Sequence, residues 1–336
     1  MNIRALIHQL RGLKLEHENF SVAYRRAYAQ AALAAPGQII VVVGPTRVGK
    51  TTLSRRLSAD LVKDRKDAED RFIPLVRIEA TTTNQGKFST KHFTLRALEE
   101  LADPVNIEGW APYRRNQSET HLRIQLEQCI RYRETAFLLI DEAHHLLRTP
   151  SQVRAGEVLD TLKCLGNSTG LVTVLLGGYE LLQTCFSSAH INGRLTVIDF
   201  PPYTPETSSI CEFERILATF DSMLPNEGGC ILRDNRELIY KGSLGCIGLL
   251  TGWVTSALAE MQARGDLQLR ISHFQSTRLV EQIRLIQKEI DLGRHLLSQW
   301  DIAPSARETV TPRPAKPKPK PFKRNPKRDP GPQDAN

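Results

Sequence analysis

Apolar residues recur along this chain in two alternating patterns. Short runs rich in Val, Ile, Leu and Phe occur at Gln38–Val43, Leu75–Glu79, Ala136–Ile140, Leu171–Leu176 and Thr196–Phe200. The first of them is β-branched on both faces, as strands buried on both sides of a parallel sheet are. Between the runs lie longer stretches of helical periodicity, and this strand–helix alternation predicts a parallel five-stranded α/β sheet with helices on both faces. Ahead of the first strand, Phe20, Tyr24, Ala27, Tyr28 and Ala31 share one helical face, so residues 1–37 read as a helical extension ending at Pro36-Gly37. The sheet-forming region then spans 38–205. After Pro205 the pattern is helical throughout, with candidates at Glu206–Leu224, about Asp234–Arg264 and Ser276–Leu297, which predicts a small all-helical domain over 206–303. From 304 to 336 the alternation of Pro with Lys leaves almost nothing to bury, so an extended, disordered tail is expected there.

Three of the strands end in chemistry. The first runs into Gly44-Pro45-Thr46-Arg47-Val48-Gly49-Lys50-Thr51, a full Gly-x-x-x-x-Gly-Lys-Thr loop that opens a helix through Thr52. Glycines at these positions let the backbone curl so that its N–H groups face phosphates, and the helix N-terminus adds partial positive charge. Lys50 would reach the β- and γ-phosphates of ATP, while Thr51 offers a hydroxyl to Mg²⁺. The third strand ends in Asp141-Glu142, at the carboxyl edge where open α/β sheets bind ligands. Asp141 is expected to hold Mg²⁺ and Glu142 to orient or deprotonate the attacking water, which makes the site hydrolytic. His144 and His145 point in different directions on a helix and suit a supporting role better than a metal pair. The fourth strand ends in Gly177-Gly178-Tyr179-Glu180, where a γ-phosphate sensor is expected, so Tyr179 or a backbone N–H must stand in. Arg194, just before the fifth strand, is the candidate for a cation reaching a neighbouring subunit's γ-phosphate.

Composition changes this picture little. The formal net charge is +8, but nine Lys or Arg against three acids fall between Ser305 and Asn336, leaving about +2 for the body. A nucleic-acid reading must therefore rest on local features. The six cysteines form no Cys-x-x-Cys pair, which argues against a zinc or redox site and for reduced, mostly buried thiols. No apolar run is long enough for a membrane span, and the N-terminus lacks the order of a secretory signal, so a cytoplasmic protein with no membrane partner is expected.

The P-loop, the Leu138-Leu139-Ile140-Asp141-Glu142-Ala143-His144-His145-Leu146-Leu147 block, Asp160–Asn167, Leu175–Leu181 and Gly245-Cys246-Ile247-Gly248-Leu249-Leu250-x-x-Trp253 occur in one order. Together they resemble the TnsC/TniB family of transposition ATPases, AAA+ proteins related to Mu B and more distantly to IstB. The resemblance covers roughly residues 20–265, and its more telling segments are Leu162-Lys163-x-Leu165-Gly166-Asn167 and the Gly245–Trp253 stretch. It implies a protein that oligomerises with itself, as a ring or helical filament, on double-stranded DNA. Its other implied partners are a TniQ/TnsD-type target selector and the element's DDE transposase and endonuclease subunits. It also implies that Arg194 lies at the subunit interface and that the loop Thr81–His92 lines the DNA, with Lys87, Thr90 and Lys91 suited to phosphate contacts. The arginine that many AAA+ helical domains send to the γ-phosphate has no clear counterpart in Ser243–Gly248. A helicase loader for replication and a nucleotide-dependent scaffold are the competing readings.

Overall fold

The computed structural model describes residues 2–13, 15–63, 71–82, 86–102, 117–149, 152–187, 193, 195–226 and 229–301. The tail expected over 304–336 and the candidate Arg194 lie outside them. Among the described residues the sheet has five parallel strands, β1 (Ile39–Val43), β2 (Leu75–Glu79), β3 (Phe137–Asp141), β4 (Val172–Gly177) and β5 (Leu195–Asp199), in the order β2-β3-β4-β1-β5. β5 begins one residue earlier than its apolar run. Every residue of β1 is buried, because the pleat sends alternate side chains into two cores.

Ile39, Val41 and Val43 enter the core formed with α4 (Thr90–Glu100), α5 (Glu119–Tyr132), α6 (Gln152–Thr169) and α7 (Glu180–Ser187). Ile40 and Val42 face α2 (Glu18–Ala32) and α3 (Lys50–Lys63), which contribute Phe20, Ala23, Ala27, Leu53 and Leu57. Each such fully buried Val or Ile contributes roughly 1.5–3 kcal/mol through loss of water-exposed apolar surface. Tyr24 ties the two helices of this face together by donating its hydroxyl to Asp60 at 2.6 Å.

The N-terminal extension is two helices. α1 (Ile3–Gly12) and α2 are separated by a break at which His17 caps α2, accepting from the Phe20 N–H at 3.3 Å. α1 leaves the sheet and inserts Leu6 and Leu10 into a third core. That core belongs to the helical region, built by α8 (Thr207–Asp221), α9 (Ile231–Asp234), α10 (Arg236–Ser243), α11 (Ile247–Arg264) and α12 (Ile271–Ser276). The single helix expected from Asp234 to Arg264 is broken between α10 and α11. Leu244 (φ 51°) and Gly245 (φ 69°) turn left-handed there, and a Cβ on Gly245 would come within 2.1 Å of the Tyr203 carbonyl oxygen. Only glycine tolerates that approach and that dihedral together.

The last helix, α13 (Val280–Asp301), starts later than expected and returns to the sheet, where Leu296 joins the core of β1 and β3. Among the described residues, the first helix thus packs in the helical region, while the last packs on the sheet through Leu296 and against Leu244 and Leu249 through Ile286 and Ile290. Three of the six cysteines are buried, whereas Cys164 and Cys211 are exposed, so the expectation of mostly buried thiols holds for half of them. Among the described residues no single helix is long and apolar enough to cross a membrane.

Candidate nucleotide site

The loop after β1 is held by its neighbours. The Gly44 N–H donates to the Gly177 carbonyl at 3.3 Å, and a Cβ on Gly44 would sit 2.4 Å from the Phe200 carbonyl oxygen. Arg47 (φ 67°) and Gly49 (φ 123°) supply the left-handed curl, the second in a region that side chains scarcely enter. Lys50 is buried and folds back on the loop, donating from Nζ to the carbonyls of Gly44 (2.8 Å) and Pro45 (2.9 Å). Burial lowers its pKa, opposed by the nearby carboxylates of Glu289, Glu142 and Asp141.

β3 delivers the acids. Asp141, 4% exposed, accepts the Glu142 N–H at 3.0 Å and the Thr51 hydroxyl, and burial raises its pKa. Glu142 occupies a left-handed conformation (φ 51°, ψ 37°) that turns it out of the strand line. Its Oε2 lies 3.2 Å from His144 Nδ1, and that contact holds the carboxyl below its ordinary pKa. The supporting role read for the histidine pair thus has a physical form at His144.

Lys50, Thr51, Glu79, Glu142, Gly178 and Glu289 are among the residues that line a cavity of about 990 Å³. A second, of about 590 Å³, lies between the α1–α2 break and α11, with His17, Val48, Ile247 and Thr251 in its wall. The two share Arg47, Gly49, Thr52 and Gly248, so they adjoin at the loop. α11 is seated directly there: the Gly248 N–H donates to the Arg47 carbonyl at 2.9 Å, and a Cβ on Gly248 would lie 2.5 Å from that oxygen. In place of an arginine, this segment presents glycine backbone to the P-loop.

Tyr179 is not a sensor side chain in this arrangement. It is buried, donates its hydroxyl to Asp199 Oδ1 at 3.0 Å, and its ring lies against Gly293 of α13, where a Cβ would come within 2.3 Å. Burial pushes the Asp199 carboxyl up to about 6. Gly178 faces the cavity instead, beside Glu289.

The structure brings the predicted Gly44–Thr52, Asp141 and Glu142 together. Lys87, Thr90 and Lys91 lie elsewhere: none of them lines the phosphate cavity. Lys87 is exposed beside the Thr82–Phe88 bridge, and Thr90 and Lys91 open α4, whose cap Ser89 accepts from the His92 N–H at 3.3 Å. Sequence reading missed Gly248 and Glu289 as site residues. Gly248 had a signal in its Gly-x-x-Gly segment; Glu289 is one charge among several on an amphipathic helix and had none.

An AAA domain family matches residues 34–185. No curated protein sequence matches the chain significantly. Among solved structures, the chain resembles the ORC2 protein of Aeropyrum pernix in its ADPNP–ADP complexes, with TM-score 0.54 at 14% identity over 79% of this chain and 68% of that one. It also resembles a Walker-type ATPase of Pyrococcus abyssi (TM-score 0.51, 15% identity, 83% and 76% covered). Drosophila ORC bound to DNA is similar at TM-score 0.52 and 14% identity, over 84% of this chain and 66% of that chain. At these identities the likeness speaks for the fold. Loop, acids, sheet order and domain match together make this chain an ATP hydrolase on the AAA+ P-loop fold.

Proposed function

We propose that this ATPase regulates DNA transposition: it assembles with itself on double-stranded target DNA and links a TniQ/TnsD-type selector to a DDE transposase and its endonuclease partner. The observation that carries the reading is the Gly245–Trp253 segment. It carries the family resemblance, and its Gly248 seats α11 on the P-loop, so a change at the phosphates reaches the helical region directly.

In this reading the N–H groups of the P-loop hold the β- and γ-phosphates, and the second cavity takes the adenine. Lys50 leaves the Gly44 and Pro45 carbonyls to bridge phosphate oxygens. Thr51 and Asp141 would fit Mg²⁺, because both offer hard oxygen donors and burial disfavours charge on the Asp141 carboxylate, which a bound cation would offset. The ion, when bound, neutralises charge on the phosphate oxygens. Glu142, held ionised by His144, takes the proton of the water that attacks the γ-phosphorus as the bond to the β-bridging oxygen breaks. Arg194 acts across the subunit interface on the charge that develops. Lys87, Thr90 and Lys91 contact DNA phosphates, which carry no base information.

Adding duplex DNA of unrelated sequences to ATP-loaded protein should stimulate hydrolysis and produce ordered assemblies visible by electron microscopy. Stimulation by single-stranded DNA alone would favour the replication-type loader, the reading supported by the similarity to an ORC structure bound to DNA. Assembly without any stimulated hydrolysis would favour the scaffold. Arg194→Ala subunits should be rescued by mixing with Lys50→Ala subunits, which supply the arginine; absence of rescue at every ratio contradicts a role in trans.

A further inference from the structure

Glu289 lies 243 residues from Thr46 in sequence, yet both of its carboxylate oxygens stand 3.1 Å from the Thr46 N–H. That N–H belongs to the loop whose backbone amides are there to receive phosphate oxygens. The same carboxylate reaches the end of β4, where a Cβ on Gly178 would lie 3.2 Å from Oε1. A side chain at Gly178 would crowd it, so the missing sensor side chain and the inserted carboxylate are two aspects of one arrangement. Glu289 is also the foremost of the carboxylates that oppose the loss of charge on Lys50. α13 is set for this position by Gly293, one turn further on, which lets the helix lie directly on the Tyr179 ring.

A carboxylate and a phosphate group compete for the same donor, and their charges repel at hydrogen-bonding distance. Glu289 lies between the third residue of the P-loop and the end of β4, in the cavity that Glu142 also lines. It therefore stands on the side of the terminal phosphate, in the cavity shared with the residue assigned to activate water.

We propose that Glu289 is a specificity-determining residue whose carboxylate stands where a γ-phosphate would bind, so that ATP must displace it while ADP need not. α13 then reads the difference between the two nucleotides, because the helix that carries Glu289 must shift or release its side chain only when the third phosphate is present. The inference rests on Gly44–Thr51 being the phosphate cradle. A site whose competent state is only partly populated binds its ligand more weakly by that fraction, so removing the competing charge tightens ATP and leaves ADP nearly unchanged.

The test measures Mg²⁺-ATP and Mg²⁺-ADP affinities of the full chain by calorimetry for the unaltered protein, Glu289→Gln, Glu289→Ala and Lys50→Ala, each checked for an unaltered thermal melt. ATP should bind about ten-fold or more tightly to both Glu289 variants with ADP changed less than about two-fold, and Lys50→Ala should lose both nucleotides. Unchanged or weakened ATP affinity in both Glu289 variants overturns the proposal and leaves the cradle intact. Failure of the unaltered protein to bind either nucleotide overturns the cradle and the proposal with it. Hydrogen exchange in a Glu142→Gln background gives an independent reading: ATP, and not ADP, should speed exchange of α13 amides around residue 289. Equal protection with both nucleotides contradicts the displacement.

Discussion

The near and far walls of the phosphate cavity follow opposite plans. The near wall is made of consecutive residues at the ends of β1 and β3, where Gly44 and Asp141 are locked by backbone contacts to adjacent strands and buried beneath them. The far wall is borrowed from helices distant in sequence, through one amide at Gly248 and one carboxylate at Glu289. A wall fixed by the sheet keeps catalytic groups in position through the reaction. A wall that meets the P-loop through individual hydrogen bonds can exchange those bonds with nucleotide state while its helices stay packed. On the proposed function, the difference would separate the groups that perform the chemistry from the helices that time it.

The largest effect should come from the near wall. Lys50→Ala should abolish detectable ATP and ADP binding, read by calorimetry, whereas no single change in the far wall should do so. A far-wall substitution that eliminated ADP binding without unfolding the protein would erase the distinction.

Outside both walls, a histidine lining the second cavity should show itself in pH dependence. His17 sits at the α1–α2 break with Nδ1 3.0 Å from the Tyr203 hydroxyl, and burial pushes its pKa down to about 4 from 6.5. The folded state therefore favours the neutral ring, and its contribution to stability is present above 6.5 and lost as pH falls through about 4. A shift of this size sets a limit of about 3 kcal/mol. Urea unfolding at pH 7 and pH 4.5 should show a larger acid loss for the intact chain than for His17→Gln. Equal losses would mean that His17 contributes nothing to the acid sensitivity.

A pair of glycines on α11 gives the smallest and sharpest contrast. Gly248→Ala drives a Cβ to 2.5 Å from the Arg47 carbonyl oxygen and should cost on the order of 1–3 kcal/mol while loosening the nucleotide. Gly252→Ala, on the same helix with nothing within 4 Å, should instead stabilise by about 0.5–1 kcal/mol through helix propensity and, although Gly252 lines the second cavity, should disturb the P-loop less than Gly248→Ala. Thermal melts with and without ATP read both changes, and similar behaviour of the two would remove Gly248 from the site.

This contrast also sets what the sequence could disclose. The near wall was legible because its chemistry is local: a strand of β-branched residues, a glycine pair at fixed spacing and two adjacent acids each constrain their own neighbours. The break at Leu244-Gly245 was hidden because a long apolar helical pattern continues through it, and only the approach of Tyr203 from another segment forces the turn. Tyr179 was misplaced for a related reason. Its position at the end of β4 suggests a sensor, but the helix that covers it comes from the far end of the chain and buries it on Asp199. Glu289 is the extreme case, since nothing in the spacing of charges along α13 distinguishes it from Glu281 or Asp291.

Glu142 carries the central claim, and turnover by Glu142→Gln at saturating ATP tests it most directly. Its carboxylate lines the phosphate cavity, stands outside the β3 line and is kept ionised by His144, the arrangement of a base awaiting water. Removing that base while keeping the cradle should leave ATP affinity within about two-fold and slow steady-state phosphate release by roughly 10²–10⁴-fold. Hydrolysis at the unaltered rate by a variant that still binds ATP would contradict the assignment of this site as the catalytic one.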